Sequence, residues 1–321
     1  MILKIPQGDL DLLAVGETLV DLISLEEADS LFEAQAFKKY LGGSPANIAV
    51  YVAKLGGRSA VISKTGIGAF GQFLKAELRH AGVQTEYMVM DHHVHTSVIF
   101  ISRTQGTPDF EAFRDGDFRL EPAEIKEEAV ARARVIHASM WPLSREPSRS
   151  AVERVFRLAQ DHGKIISLDP NYSPQIWPDY PEAKAVIEQM MGYATITKPS
   201  LDDAKRLFGE GDSVDDYIAQ FHAMGPSVVV FTLGADGMVL SIKGEQQFIP
   251  AQSVEVVDAT GAGDAFWAGF IVALLDDQPL ERCVCFAREV VGRKLTTVGP
   301  LPDDIDRQAL YASIDEAEDG D

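Results

Sequence analysis

Positive charge is scarce in this sequence. Among 321 residues Lys and Arg number 29 against 49 Asp and Glu, a formal charge of -20. Such a chain repels nucleic acid and anionic membrane surfaces, and no run of Lys or Arg offers a local exception, so neither is expected as a partner. To bind an anion it must use local devices: backbone N–H groups, one or two cationic side chains, and a divalent cation. Cysteine is almost missing. Cys283 and Cys285 stand two apart in what reads as a helix, where they point to different faces and do not pair. That usage fits a reducing cytoplasm. The opening MILKIPQGDLDLL has no cationic start followed by a long apolar stretch, so no signal peptide is expected. The most apolar helix, around Phe266–Leu275, is too short to span a bilayer. Internal repeats, Gly/Ser linkers and Pro-rich segments are absent, and only the tail DEAEDGD is biased. No Walker A lysine motif occurs, which excludes a P-loop kinase.

What is present is an alternation. Hydrophobic residues make up 46% of the chain, enough for a large core. Short apolar strands at Leu12–Val15, Ser59–Ser63, Val135–Ala138, Ile165–Leu168, Thr195–Thr197 and Ser227–Leu233 alternate with helical stretches at Ala46–Leu55, Gln72–His80, Ser148–Asp161 and Leu201–Phe208. This predicts an α/β fold, a mostly parallel sheet with helices on both faces. The unbroken run Val228–Phe231 suits a strand buried on both sides. Met238–Lys243 and Gln246–Ile249 read as a hairpin joined by Gly-Glu. Two stretches, 21–39 and 95–119, lack helical periodicity and read as a small β lid on one domain spanning 1–321.

The chemistry concentrates in Val257-Asp258-Ala259-Thr260-Gly261-Ala262-Gly263-Asp264-Ala265-Phe266. Gly261 and Gly263 leave the backbone bare, and an apolar helix follows at once. A glycine-rich turn opening a helix is an anion site, because unpaired N–H groups and the dipole point at the ligand. Asp264 lies in the first turn of a helix apolar nearly all round. A carboxylate there costs several kcal/mol unless it has a partner or a task. Glycine amides that stabilise charge beside a carboxylate that takes a proton fit phosphoryl transfer to a hydroxyl.

Over nearly its whole length the sequence resembles the ribokinase-like, PfkB-type carbohydrate kinases, and Asp258–Asp264 looks like that family's C-terminal signature. The resemblance implies a ribokinase-like fold, a twisted mostly parallel central sheet with a small β lid, and ATP and Mg²⁺ as cofactors. It places the catalytic base at Asp264 and the anion hole at Gly261, Ala262 and Gly263. It further implies that Asp258 and Thr260 bind a monovalent cation, usually K⁺, with the loop near Gly299 completing that site. Gly42-Gly43-Ser44-Pro45-Ala46-Asn47 looks like the N-terminal signature, which assigns Gly42, Gly43 and Asn47 to the sugar, together with Asp21 just past the first strand. Thr232-Leu233-Gly234-Ala235-Asp236-Gly237 resembles the nucleotide-contacting turn, with Thr232, Gly234 and Gly237 as its residues. Lys198, after a strand, is placed to reach a phosphate. Lids in this family often pair between subunits, so a homodimer through the lid is a further expectation.

Three places depart from the pattern. Ser200-Leu201-Asp202-Asp203 stands where the family usually has Asn-x-x-Glu to organise Mg²⁺, and its letters also spell a capping box. Ser173 stands where several members have an arginine, which argues for a neutral sugar; Arg114 is a candidate replacement. Gly66-Ile-Gly68-Ala-Phe70-Gly71 matches a dinucleotide fingerprint, with Asp91 roughly 20 residues on, but an NAD-dependent oxidoreductase leaves both kinase signatures unexplained. Asp91-His92-His93-Val94-His95 invites a metal reading that alternating strand directions and missing cysteines oppose. The sequence looks most like fructokinases, so the expected reaction is transfer of the ATP γ-phosphoryl to a primary hydroxyl of fructose. Kinases of 5-dehydro-2-deoxygluconate and 2-keto-3-deoxygluconate share the scaffold, and a catalytically silent sugar binder is the alternative of another class.

Overall fold

The computed structural model describes residues 3–104, 109–297, 301–303 and 305–318. Its strands are β1 (Leu10–Val15), β2 (Leu19–Glu27), β3 (Phe37–Gly42), β4 (Ser59–Gly66), β5 (Met88–Asp91), β6 (Val98–Arg103), β7 (Phe110–Phe113), β8 (Ala133–Ser139), β9 (Ile165–Asp169), β10 (Ile196–Thr197), β11 (Val228–Thr232), β12 (Gly237–Ile242) and β13 (Glu245–Pro250). Its helices are α1 (Ser44–Lys54), α2 (Ala69–His80), α3 (Glu127–Arg132), α4 (Ser148–Asp161), α5 (Tyr180–Met191), α6 (Leu201–Phe208), α7 (Val214–Met224), α8 (Ala262–Leu275), α9 (Leu280–Leu295) and α10 (Arg307–Glu318).

Nine strands form one sheet in the order β13-β12-β11-β10-β9-β8-β1-β4-β5. Neighbours from β11 to β5 run parallel, and β12 and β13 add an antiparallel edge. Along β11, Val228 and Val230 face one core while Val229 and Phe231 face the other, so the unbroken apolar run is a strand with both faces covered. The first core holds α1, α8 and α9, and the second holds α4, α5 and α7. Helix α8 is apolar all round because it is enclosed: Ala265 to Leu275 are all buried, and Trp267 is fully so. Each large side chain sequestered this way contributes roughly 1.5–3 kcal/mol.

A second sheet, ordered β3-β2-β6-β7, forms from the two stretches that lacked helical period. The lid boundaries move outward from 21–39: pairing begins at Leu19↔Gly42, so the first hairpin runs to Gly42, one residue before the Gly43 that caps α1. Within 95–119 the strands are β6 and β7. The edge hairpin turns at Lys243-Gly244, both at positive φ, one residue earlier than Gly-Glu. Among the described residues no helix is long and apolar enough to cross a membrane. Cys283 and Cys285 form no disulfide.

Two of the three dinucleotide-like glycines, Gly66 and Gly71, have a packing reason, whereas Gly68 faces open space. A Cβ on Gly71 would lie 1.8 Å from the Gly66 carbonyl oxygen, and one on Gly66 would lie 2.5 Å from that of Val94. Asp91 is tied to Lys64 at 3.0 Å rather than held open for a ribose. Among the described residues no group of three His, Cys, Asp or Glu is placed to hold a metal ion.

Candidate active site

The two signatures, more than 200 residues apart in sequence, meet at one carboxylate. Gly261 caps α8 in a left-handed conformation, φ +73°, which turns the chain so that Asp264 falls in the first helical turn. Gly43 does the same for α1 at φ +99°. The Ser44 hydroxyl donates to Asp264 Oδ1 at 2.7 Å, and Asn47 Nδ2 donates to Oδ2 at 3.0 Å. Both donors come from the first turn of α1, so one helix start holds the side chain of another. Burial pushes the Asp264 carboxyl above the usual aspartate value, while Asn47, Ser44 and the Lys198 charge oppose that rise. A carboxylate kept basic yet oriented by two donors suits proton abstraction from a hydroxyl.

Beside it lies a fixed positive charge. Lys198, 5% exposed, directly follows β10 and pairs with Asp169 at the end of β9, Nζ to Oδ2 3.0 Å. Burial alone would push the ammonium down, but the Asp169, Asp203 and Asp264 carboxylates more than offset it and hold the lysine above its ordinary value. Burial raises Asp169 to about 6, against the pull of Lys198. A Cβ built on Gly263 would lie 3.6 Å from Lys198 Nζ, so the ammonium stands over the glycine turn. The Ala262 amide is turned to Ala259 O at 3.1 Å. No acceptor among the described residues takes the amides of Gly261 and Gly263, which leaves those two to an anion.

Asp21 joins from the small sheet. Burial and the nearby Asp264 charge raise it to about 7. Gly42 opposes it so closely that a Cβ there would lie 2.3 Å from Asp21 Oδ2. Behind the turn, buried Glu17 accepts from the Ser44 amide at 3.1 Å and from the Ser139 hydroxyl at 3.3 Å. Burial, with Asp117 adding, lifts Glu17 to about 8. Sequence reasoning missed Ser44, Glu17 and Asp169. The first sits inside a quoted motif, but its target is visible only in three dimensions.

Arg114 is a tie rather than an open hand. Its Nε donates to buried Asp117 at 2.7 Å, and its terminal nitrogens reach Ser144 Oγ (2.8 Å) and Trp141 O (3.4 Å). It lines a cavity of about 480 Å³ together with Arg145, Ser144, Gln175 and Trp177. Thr232, Gly234 and Gly237 sit at the end of β11, in the turn after it and at the start of β12. The Thr232 amide donates to Pro199 O at 2.9 Å, which ties this turn to the segment that carries Lys198.

Ser200 and Asp203 form the capping box, Ser200 Oγ accepting from the Asp203 amide at 3.1 Å and Asp203 Oδ2 from the Ser200 amide at 3.0 Å. Asp203 Oδ1 also accepts from the Tyr172 amide at 2.8 Å. Its carboxylate is thus committed to protein, and a Mg²⁺ ion would arrive on a nucleotide rather than in a protein cage. The cation expected at Asp258 and Thr260 fits poorly. The Asp258 carbonyl and Oδ2 face the buried Lys294 ammonium at 3.1 and 3.4 Å, and Oδ1 accepts from the Thr260 amide at 2.9 Å. Gly299 lies outside the described residues.

Known proteins resemble this chain over most of its length. The model of the pfkB family carbohydrate kinases matches residues 9–302. An ATP-dependent 6-phosphofructokinase from Thermoanaerobacterium thermosaccharolyticum is 36% identical over 298 residues, 92% of each chain. The structure of Halothermothrix orenii fructokinase is 36% identical, with TM-score 0.79 over 90% of this chain and 99% of that one. A fructokinase double mutant from Vibrio cholerae O395, solved with fructose, ADP and potassium ion, is 26% identical, with TM-score 0.84 over 95% of this chain and 98% of that one.

Proposed function

The chain belongs to the pfkB family of carbohydrate kinases, and from that premise we propose that it transfers the γ-phosphoryl group of ATP to a primary hydroxyl of fructose. One observation carries the reading: Asp264 is oriented by Ser44 and Asn47 beside a glycine turn overhung by Lys198. In this scheme Asp21 and Asn47 grip sugar hydroxyls, and Asp264 takes the proton of the attacking one. The amides of Gly261 and Gly263, with the Lys198 ammonium, offset charge on the transferring group. The turn of Thr232, Gly234 and Gly237 contacts the nucleotide. Mg²⁺ supplies neutralisation of the phosphates when bound. Residues 1–321 act as one catalytic unit with a lid, in the cytoplasm, where Cys283 and Cys285 stay reduced.

Ser173 supports a neutral acceptor. A second reading has its own observation. Exposed Arg145 opens on the 480 Å³ cavity, and among the described residues no carboxylate pairs with it. With a relative named ATP-dependent 6-phosphofructokinase, this favours a fructose phosphate held there. A coupled ADP-release assay with ATP and Mg²⁺ across fructose, fructose 6-phosphate, ribose, tagatose, 2-keto-3-deoxygluconate, 5-dehydro-2-deoxygluconate and adenosine separates them. Fructose is expected to give the highest kcat/KM. A preference for fructose 6-phosphate abolished by Arg145→Ala establishes the second reading, and a sugar acid in first place overturns both. Silence from a folded protein that binds ATP means an acceptor outside the panel or a lost activity.

We also propose a homodimer through the lid. On one face Phe37, Phe100 and Phe113 form an edge-to-face ladder, with centroids 5.2 and 5.7 Å apart, and Phe113 is 56% exposed. Sedimentation at monomer mass across micromolar concentrations would contradict it.

A further inference from the structure

Lys294 is fully buried near the end of α9, and among the described residues its ammonium has one partner, Asp258. It donates to the Asp258 carbonyl at 3.1 Å and to Oδ2 at 3.4 Å. The loop carrying Asp258 is fastened to the same helix end, because the amides of Val257 and Asp258 both point to Leu295 O, at 2.8 and 3.3 Å. From Asp258 the connection to the chemistry is short. Oδ1 accepts from the Thr260 amide, and Thr260 precedes Gly261, whose left-handed turn aims the free amides. A positive charge at this point steadies the turn and offsets anionic charge beyond it.

These are the oxygens a monovalent cation would need. An ammonium nitrogen carries the same charge as K⁺ at a similar size, and a lysine that no solvent reaches cannot step aside cheaply for a free ion. We propose that the Lys294 ammonium is a built-in cation that takes the place of K⁺ behind the anion hole, so that this kinase works without a monovalent metal ion. Lys294 is therefore a positioning residue: it acts through Asp258 and the Thr260–Gly261 turn, and touches no substrate.

This inference rests on the kinase reading, and the experiment keeps the two apart. The ADP-release assay is run at equal ionic strength in tetramethylammonium chloride, NaCl and KCl. The wild type is expected to keep kcat within about twofold across the three salts. A fall of about tenfold or more on removing K⁺, restored by adding it, overturns the proposal. Lys294→Ala is expected to lose at least about tenfold in kcat in tetramethylammonium, on the scale of one lost anion-hole contact, and to regain activity with KCl or NH₄Cl. A loss equal in every salt means the lysine only holds the fold, and overturns the cation role, as does an unaffected variant. Should Lys294→Ala fail to fold, the wild-type comparison decides alone. Melting of the wild type gives a readout independent of turnover: no K⁺-specific rise in Tm is expected, and such a rise would count against the proposal. Silence on every sugar in every salt refutes the kinase reading instead, and the melting comparison still tests Lys294.

Discussion

The contact between Gly42 and Asp21 makes a sharp test of how the sugar is gripped. In Gly42→Ala the new methyl would lie 2.3, 2.4 and 2.5 Å from Oδ2, Cγ and Oδ1 of Asp21. The carboxyl must retreat by roughly 0.7 Å to reach even a tight contact, or swing to another rotamer. Gly42 is not at positive φ, so the backbone accepts alanine, and the pairing of β2 with β3 survives. A hydrogen bond to a charged group contributes about 1.5–3 kcal/mol, so displacing Asp21 should lower kcat/KM for the sugar roughly 10- to 150-fold. The effect should fall on the sugar, with KM for ATP little changed, in initial-rate assays varying each substrate in turn. Asp21→Asn is the companion, and the double variant should be no worse than Asp21→Asn alone, because both act on one interaction. A folded Gly42→Ala enzyme with wild-type kcat/KM would refute the reasoning, since the carboxyl would then be in the wrong place without consequence.

Two further outcomes follow from the buried carboxyls. Glu17 and Asp21 are raised to about 8 and about 7 in the folded protein, from ordinary values of 4.5 and 3.8. Between pH 6 and 8.5 the folded state thus holds protons that the unfolded state has released, so the stability of the ligand-free protein falls as pH rises, by at most about 1.4 kcal/mol per unit for each group. Denaturant midpoints across that range test this, and a midpoint that climbs with pH contradicts it. Ser44→Ala removes the 2.7 Å donor to Asp264 and should shift the acid limb of the kcat/KM profile up by about one to two pH units. A uniformly lower rate with an unmoved limb would mean that Ser44 does not tune the base.

The parts of this molecule that sequence reasoning reached are those with local signals. The two-sided run of β11 and the glycine turns before α1 and α8 announce themselves within a few residues. Helices α5 and α7 went unread. The first opens among Pro174, Pro178 and Pro181, which mask its start, and the second is short and acidic, so both depend on burying Val186, Ile187, Tyr217 and Phe221 in a core assembled elsewhere. The site divides the same way. Asp264 was legible from its glycines, whereas Ser44 reaching Asp264 is an interaction across 220 positions. Lys294 is one lysine in an amphipathic helix, and only packing turns it inward to Asp258. Arg114 looked available because the sequence does not reveal that Asp117, Ser144 and Trp141 surround it.

The most direct test of the account is turnover by Asp264→Ala, measured as ADP release with ATP, Mg²⁺ and fructose, beside its melting curve. Loss of a general base predicts kcat lower by at least ~10²–10⁴-fold with folding intact. A folded variant that turns over at the wild-type rate would contradict the assignment of Asp264 as the base, and with it the mechanism built around the meeting of α1 and α8.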